Sequence, residues 1–240
     1  MLNINIITPF PAMFEVVLNE SILLKATQKK IVKYNIFNLF DFLDHSSKRI
    51  DDYPFGGEEG MLLKPEPIFR ALEKIKSSSS NSKKMRIIFP TPDGKIFDHD
   101  KAKELSNESS LTFICGHYKG IDQRIRDNYI TDEISIGDFV LTSGELPSLI
   151  MIDSIVRLKH GVLNNYTSAS KDSFYNLLLD GPHYTRPRNF NGITVPEVLL
   201  SGNHQEIERW FLNKREEKTK KLRRDLWKNY RSKKNGVENG

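Results

Sequence analysis

The sequence has a single cysteine, Cys115, among its 240 residues. One cysteine excludes an intrachain disulfide and any metal site built on several thiolates, and it predicts a reducing, cytoplasmic location. Long hydrophobic runs are also missing, since no apolar stretch approaches the roughly 20 residues that cross a bilayer. The N-terminus lacks the basic start and the small-residue cleavage site of a signal peptide. We therefore expect no membrane-spanning segment.

Well-known ligand-binding signatures are absent as well. No GxGxxG follows a predicted strand, and neither GxxxxGK[ST] nor GxSxG occurs. The six histidines are scattered without the spacing of metal ligands, so core or surface roles are expected for most of them. We assign no metal site.

Positive charge is present and concentrated near one end. The net charge is +5, and residues 205–234 hold 12 Lys and Arg against 5 Asp and Glu. This segment carries a surplus of +7, so the rest of the chain is near −2. A basic segment on a near-neutral body indicates a polyanionic partner such as tRNA, other RNA, DNA or an acidic membrane. A solvated helix surface is the alternative.

Hydrophobic periodicity predicts an α/β fold up to residue 163. NINII (3–7) and KYNIFNLF (33–40) are typical of buried strands, and residues 13–30 between them have helical spacing, which makes a parallel βαβ unit. Further strands are expected at 85–90, 111–116 and 132–138, and further helices at 66–76 and 145–161. Residues 164–171 are predicted to be a polar linker, and 172–240 a smaller, helical, basic domain.

Three predicted strands end in loops of unusual composition: FPTPDG (89–94), CGHYKGIDQR (115–124) and SIGDFVLTSGELP (135–147). Glycine, proline and small polar residues let a backbone approach a ligand closely. The alternative is that each loop is an ordinary turn with no ligand. Because ligands collect at the carboxyl ends of parallel strands, three such loops in succession favour one shared pocket. Since the signatures of a phosphate cradle, a metal site and an α/β hydrolase are missing, a nucleotide-like ligand bound mainly by backbone groups remains.

Five segments in order resemble the TrmD type of bacterial tRNA (guanine-N1)-methyltransferase. They are DDYPFGGEEGM (51–61), the second and third loops, LLDGPHYTRP (178–187) and TVPEVLLSGNHQEI (194–207). The resemblance implies a parallel α/β domain with a deep trefoil knot of the SPOUT class, plus a small, mainly helical C-terminal domain. It also implies a homodimer that methylates N1 of guanosine 37 of tRNA, just 3′ of the anticodon, from S-adenosylmethionine.

The resemblance assigns two sets of binding residues. Those expected to hold S-adenosylmethionine are Phe89, Pro90, Thr91, Pro92, Gly94, Gly116, Tyr118, Ile136, Gly137, Asp138, Phe139, Val140, Leu141, Ser143, Gly144 and Pro147. Those expected to face the tRNA are Asp51, Asp52, Gly56, Gly57, His183 and Arg186. Side-chain caps in a turn are the alternative for the two aspartates.

The chemistry needs a base for the N1 proton of guanine and a donor for the charge that develops on O6. The resemblance gives these roles to Asp172 and Arg157, and it implies that Asp172 acts in the active site of the other subunit. From the residues alone, Asp172 could be a helix N-cap. Arg157 could form an exposed pair with Asp153, four residues before it.

Several positions depart from the family pattern. Lys119 lies where a glutamate is common, Thr91 and Asp93 replace a serine and a glutamine, and Ser143 replaces a glycine. Some members need magnesium, but no closed metal site is apparent. A knotted methyltransferase for another RNA position, an RNA-binding module without catalysis, and a dimeric scaffold are the competing hypotheses.

Overall fold

Five parallel strands form the central sheet of the computed structural model, which describes residues 1–45, 47–78, 85–163 and 172–237. The chain divides into two compact units, Met1–Asn164 and Asn165–Gly240. The sheet belongs to the first unit, in the order β2-β1-β6-β5-β7. Its strands are β1 (Leu2–Thr8), β2 (Val32–Asn38), β5 (Arg86–Ile96), β6 (Ser110–Ile114) and β7 (Asp132–Ser135). The predicted parallel α/β fold is confirmed. The predicted linker, 164–171, lies outside the described residues.

Helices cover both faces of this sheet. They are α1 (Pro11–Leu18), α2 (Ser21–Gln28), α3 (Pro65–Ser78), α4 (His99–Ser106), α5 (Gln123–Tyr129) and α6 (Glu145–Val156). Side chains of α1, α2, α4 and α6 share one apolar core with Ile4 and Ile6, whereas α3 and α5 pack on Ile7 and Ile87 in a second core. The central strands are therefore buried on both sides, which explains the apolar runs in β5 and β6.

The single helix predicted over residues 13–30 is wrong. The chain forms two short helices because Asn19 ends the first: its side-chain Nδ2 donates to the Glu15 carbonyl at 2.8 Å. Glu20 is then extended and Ser21 has a φ of 50°, a conformation outside the right-handed helical region. Apolar spacing continues through this break, so periodicity alone does not reveal it.

The predicted end of β5 at Pro90 is also wrong. Both Pro90 and Lys95 pair with Ile134 of β7, so residues 91–94 leave the sheet as a loop and the strand resumes after them. Gly94 allows this return, because a Cβ there would lie 2.5 Å from backbone atoms of Glu133 and Ile134. The extension holds the first loop against the edge of β7.

A small hairpin lies between β2 and α3 in the segment that was predicted as a long polar loop. Its strands are β3 (Asp51–Asp52) and β4 (Leu62–Leu63). Residues 53–61 between them, the Gly-rich loop, include Gly56 and Gly57 with φ of 91° and 77°, and such values favour glycine.

The second unit contains α7 (His204–Leu222), α8 (Arg224–Val237) and a hairpin of β8 (Asn189–Phe190) and β9 (Ile193–Thr194). Asn203 caps α7 by accepting from the Glu206 N–H at 3.3 Å, and Tyr230 of α8 donates to Glu216 of α7 at 2.7 Å. Most of the Lys and Arg residues on these two helices are exposed. No helix among the described residues is long and apolar enough to cross a membrane.

Candidate functional site

The three predicted loops meet at one edge of the sheet, where β6 and β7 end and the pairing of β5 is interrupted between Pro90 and Lys95. The second and third are joined by their backbones, since the Gly144 N–H donates to the Gly116 carbonyl at 2.8 Å and His117 pairs with Ser143. This approach needs glycine: a Cβ on Gly144 would lie 2.7 Å from Gly116 N and 2.8 Å from Cys115 Cα. The loops therefore form one wall of a common site.

The third loop leaves the sheet through a tight turn at Gly137, whose φ is 148°. Ser135 Oγ both donates to the Gly137 carbonyl (3.0 Å) and accepts from its N–H (3.2 Å). The backbone N–H groups of Val140 and Leu141, further along this loop, have no partner within the described part of the chain. Unpaired backbone donors can bind a nucleobase edge without any charged side chain.

Together the loops enclose a cavity of about 440 Å³, called here the loop cavity. That volume lies within the range of pockets that hold drug-sized ligands. Most of the residues predicted to bind the methyl donor line it: Phe89, Pro90, Thr91, Pro92, Gly116, Tyr118, Ile136, Gly137, Phe139, Val140, Leu141, Ser143, Gly144 and Pro147. Gly94 and Asp138 do not line it, and Gly94 instead packs on β7.

A fully buried carboxylate, Glu145, lies in the first turn of α6 beside the loop cavity. Thr8 Oγ1 donates to it at 2.6 Å, and both of its oxygens are 2.9 Å from His117 Nε2. Burial raises the pKa of this carboxyl, but hydrogen bonds from His117, Thr8 and Ser143 outweigh burial and hold the pKa below its ordinary value. Glu145 is therefore a charged anchor that joins β1, the second loop and α6.

A lysine and an arginine also line the loop cavity, and each has a carboxylate partner. Lys119 Nζ lies 2.9 Å from Glu58 Oε2. Arg126 pairs with Glu133 at 2.7 Å and with Asp93 at 2.9 Å, and its guanidinium lies 5.5 Å from the centre of the Phe89 ring. Hydrogen bonds from Arg126 and Thr91 lower the pKa of Asp93.

Residues 2–229 match the model of the family described as tRNA (Guanine-1)-methyltransferase TrmD. Proteins named tRNA (guanine-N(1)-)-methyltransferase are similar over most of the chain. The protein from Bacillus velezensis is 49% identical over 95% of this chain and 93% of its own length. Those from Clostridioides difficile and Alkaliphilus metalliredigens are 48% and 47% identical, over 93% and 99% of this chain and 96% of each relative.

The chain belongs to the TrmD family. It is therefore a methyltransferase, and the predicted resemblance is confirmed.

The two residues predicted to be catalytic in this TrmD chain lie in different units. Arg157 follows α6 directly, is exposed, and donates its backbone N–H to the Asp153 carbonyl at 3.1 Å. Asp172 is half-buried at the start of the second unit. The N-cap interpretation of Asp172 is wrong, because residues 173–176 form turns, and Phe174 has a φ of 78°.

The residues predicted to face tRNA also divide between the units. Asp51 and Asp52 pair with Leu63 and Leu62 in the small hairpin, and Gly56 and Gly57 have open space where a Cβ would be. In the second unit, His183 Nε2 lies 2.8 Å from Asp180 Oδ2 and its ring packs near Phe211. Arg186 is exposed and precedes a cis peptide bond to Pro187.

Sequence reasoning missed the charged residues around the loop cavity. His117 was grouped with the scattered histidines, and Arg126, Glu58, Glu133 and Glu145 received no role. The signal for His117 and Glu145 was available, since both lie within quoted loop motifs next to glycines. Within the described residues, no cluster of three or more His, Cys, Asp or Glu side chains could hold a metal ion.

Proposed function

We propose that this methyltransferase transfers a methyl group from S-adenosylmethionine to N1 of guanosine 37 of tRNA. The observation that carries the proposal is the loop cavity, which combines unpaired backbone donors with apolar walls in a chain of the TrmD family. S-adenosylmethionine, when bound, supplies a methyl group already activated by its sulfonium charge. The cavity residues given above would hold it.

The chemistry of the cavity fits this donor. Adenine and ribose edges need hydrogen-bond donors and acceptors rather than charge, and the Val140 and Leu141 N–H groups are available. Phe89, Ile136 and Pro147 supply apolar contact area. The three-loop arrangement is also where we propose the trefoil knot of the SPOUT class, with β5, β6 and β7 providing its strands.

Asp172 is the proposed general base that takes the N1 proton of guanine, and Arg157 the donor that stabilises charge on O6. N1 is a poor nucleophile until its proton leaves, so loss of a positioned base costs about 10²- to 10⁴-fold in rate. The Asp172→Ala variant should therefore lose at least about 100-fold in methyl transfer while still binding tRNA. If it retains half the wild-type rate, the assignment is wrong.

The test of function is methyl transfer from labelled S-adenosylmethionine to unmodified tRNA with guanosine at position 37. The same tRNA with adenosine at that position is the control. Label in the first tRNA alone supports donor, substrate and target together. Binding of tRNA without label in either tRNA would instead favour an RNA-binding module.

We also propose a homodimer in which each active site takes Asp172 from the second subunit. Helices α1 and α6 pack against each other and expose apolar side chains, among them Val17, Leu146 and Ile150. Exposed apolar surface of this kind is typical of subunit interfaces. The basic helices α7 and α8 and the hairpin residues Asp51 and Asp52 are proposed to contact tRNA.

A mixing experiment distinguishes a shared site from a site within one subunit. Subunits with Asp172→Ala and subunits with Arg157→Ala, each inactive alone, are co-refolded into mixed dimers. A shared site leaves one intact site in each mixed dimer, so roughly a quarter of the wild-type rate should return in a random mixture. No recovery, with mixed dimers verified, would place both residues in the site of one subunit.

A further inference from the structure

The lysine and the arginine that line the loop cavity each have a carboxylate from another segment against them. Arg126 contacts Glu133 and Asp93, and Lys119 contacts Glu58. The ring of His117 likewise lies against the carboxylate of Glu145. Three of these carboxylates, Glu145, Glu133 and Glu58, do not line the cavity themselves. The pattern indicates a site arranged to have no excess positive charge.

Of these carboxylate partners, Glu58 of Lys119 can be changed with the least effect on the fold. Glu58 belongs to the Gly-rich loop and is exposed, and this contact gives it a pKa below its ordinary value. The loop is held beside Lys119 through backbone groups, because the Lys119 N–H donates to the Met61 carbonyl at 3.1 Å and the Leu63 N–H to the Gly120 carbonyl at 3.1 Å. Removing the Glu58 charge should therefore leave the loop in place.

The charge of Lys119 matters because the methyl donor and its product differ in charge at the sulfur atom. S-adenosylmethionine carries a positive sulfonium, whereas S-adenosylhomocysteine has a neutral thioether and is otherwise the same molecule. An unneutralised lysine beside the cavity would repel the first and not the second. A carboxylate paired with that lysine cancels the repulsion.

We propose that Glu58 is a specificity-determining residue: by neutralising Lys119 it allows the loop cavity to bind the cationic methyl donor in preference to the neutral product. The inference rests on the proposed function, since it requires the donor in this cavity. Glu58 acts through Lys119 and does not itself touch the ligand. It shifts the ratio of the two affinities, whereas a purely structural role would change both affinities together.

Titration calorimetry of both ligands tests this with four proteins. Glu58→Gln should weaken S-adenosylmethionine binding at least about threefold with little change for S-adenosylhomocysteine, and 0.5 M salt should reduce the difference because the pair is exposed. Glu59→Gln is the matched control: it makes the same change in net charge one residue away, and Glu59 has no partner within the described residues. The double variant Glu58→Gln, Lys119→Gln should restore the wild-type ratio.

The outcomes separate the inference from the function on which it rests. Equal weakening of both ligands in Glu58→Gln would mean that Glu58 only positions the loop, and the inference would fall. An unchanged ratio, or the same effect in Glu59→Gln, would also overturn it. If the wild-type protein binds neither ligand, the proposed donor site itself is wrong, and the inference about Glu58 falls with it.

Discussion

Glu145 offers the most direct test of how the site is held together. The change is Glu145→Gln, which keeps the volume of the side chain and removes its charge. At present Thr8 donates to the carboxylate at 2.6 Å and His117 Nε2 lies 2.9 Å from both oxygens, all with the carboxylate fully buried. The amide oxygen can still accept from Thr8 and His117 at the position of Oε1, but the position of Oε2 then holds an NH2 group facing His117 Nε2, and the charge that strengthens these hydrogen bonds is lost.

The cost follows from the number of hydrogen bonds affected. Hydrogen bonds to a charged group contribute about 1.5–3 kcal/mol each, and a buried polar group left without its partner costs about 1–3 kcal/mol. Allowing for partial replacement by the amide oxygen, we expect the free energy of unfolding to fall by about 2–3 kcal/mol at pH 7. For a unit of this size, that corresponds to a Tm lower by roughly 4–12 °C.

The loss should depend on pH in a defined direction. The folded pKa of Glu145 lies below its ordinary value of 4.5, so its contribution is fully present above pH 4.5 and is lost as the pH falls through the folded pKa. Urea unfolding of both proteins at pH 7, 5.5 and 4, and below where the fold permits, measures the difference. A difference under about 0.5 kcal/mol at pH 7, the level of a neutral surface change, would refute the reasoning.

Three further outcomes are expected. Gly144→Ala should reduce S-adenosylmethionine binding at least about tenfold, because the added Cβ would meet backbone atoms of Gly116 and Cys115. These atoms cannot move without opening the cavity. An unchanged affinity in calorimetry would contradict this prediction. Arg86→Met should lower the free energy of unfolding by about 1–3 kcal/mol, since Arg86 pairs with Asp132 at 2.6 Å while Lys101 still contacts that aspartate; a loss below the error of urea unfolding would oppose it. If tRNA binding neutralises about six phosphates, the logarithm of the binding constant should fall with the logarithm of the salt concentration at a slope of about −4 to −5. A slope near zero in filter binding would mean that the basic side chains of α7 and α8 are only solvated and do not contact phosphates.

Much of the N-terminal unit could be predicted from local sequence. Strands β5 and β6 have short apolar runs, and parallel topology then places the loops at their carboxyl ends on one edge of the sheet. Glycine and proline mark those loops independently of any distant contact. This is why most of the predicted donor-binding residues do line one cavity.

The errors have a common physical origin in backbone geometry that apolar spacing does not record. The break after α1 depends on an Asn19 side chain bonding to the Glu15 carbonyl, and the hydrophobic pattern continues across it. The continuation of β5 past Pro90 depends on Gly94 fitting against β7. Asp172 was open to an N-cap interpretation because the next residues are apolar, but a positive φ at Phe174 prevents a helix.

The charge balance of the loop cavity could not be predicted because two of its ion pairs join distant segments. Glu58 and Lys119 are 61 residues apart, and Asp93 and Arg126 are 33 residues apart. Neither pair has a sequence pattern. Only the folded chain shows that the cations near the cavity are neutralised.

A buried carboxylate also counters the field of α6. The N-terminus of this helix lies at the cavity, where Gly144 and Pro147 are lining residues, and a helix N-terminus carries a partial positive charge that disfavours a cation. Glu145 in the first turn opposes that charge from a buried position, while Glu58, Glu133 and Asp93 oppose Lys119 and Arg126. A site with a lysine, an arginine and a helix N-terminus would otherwise favour an anion. The carboxylates remove this preference, which is consistent with the cationic donor proposed above, although most of them do not line the cavity.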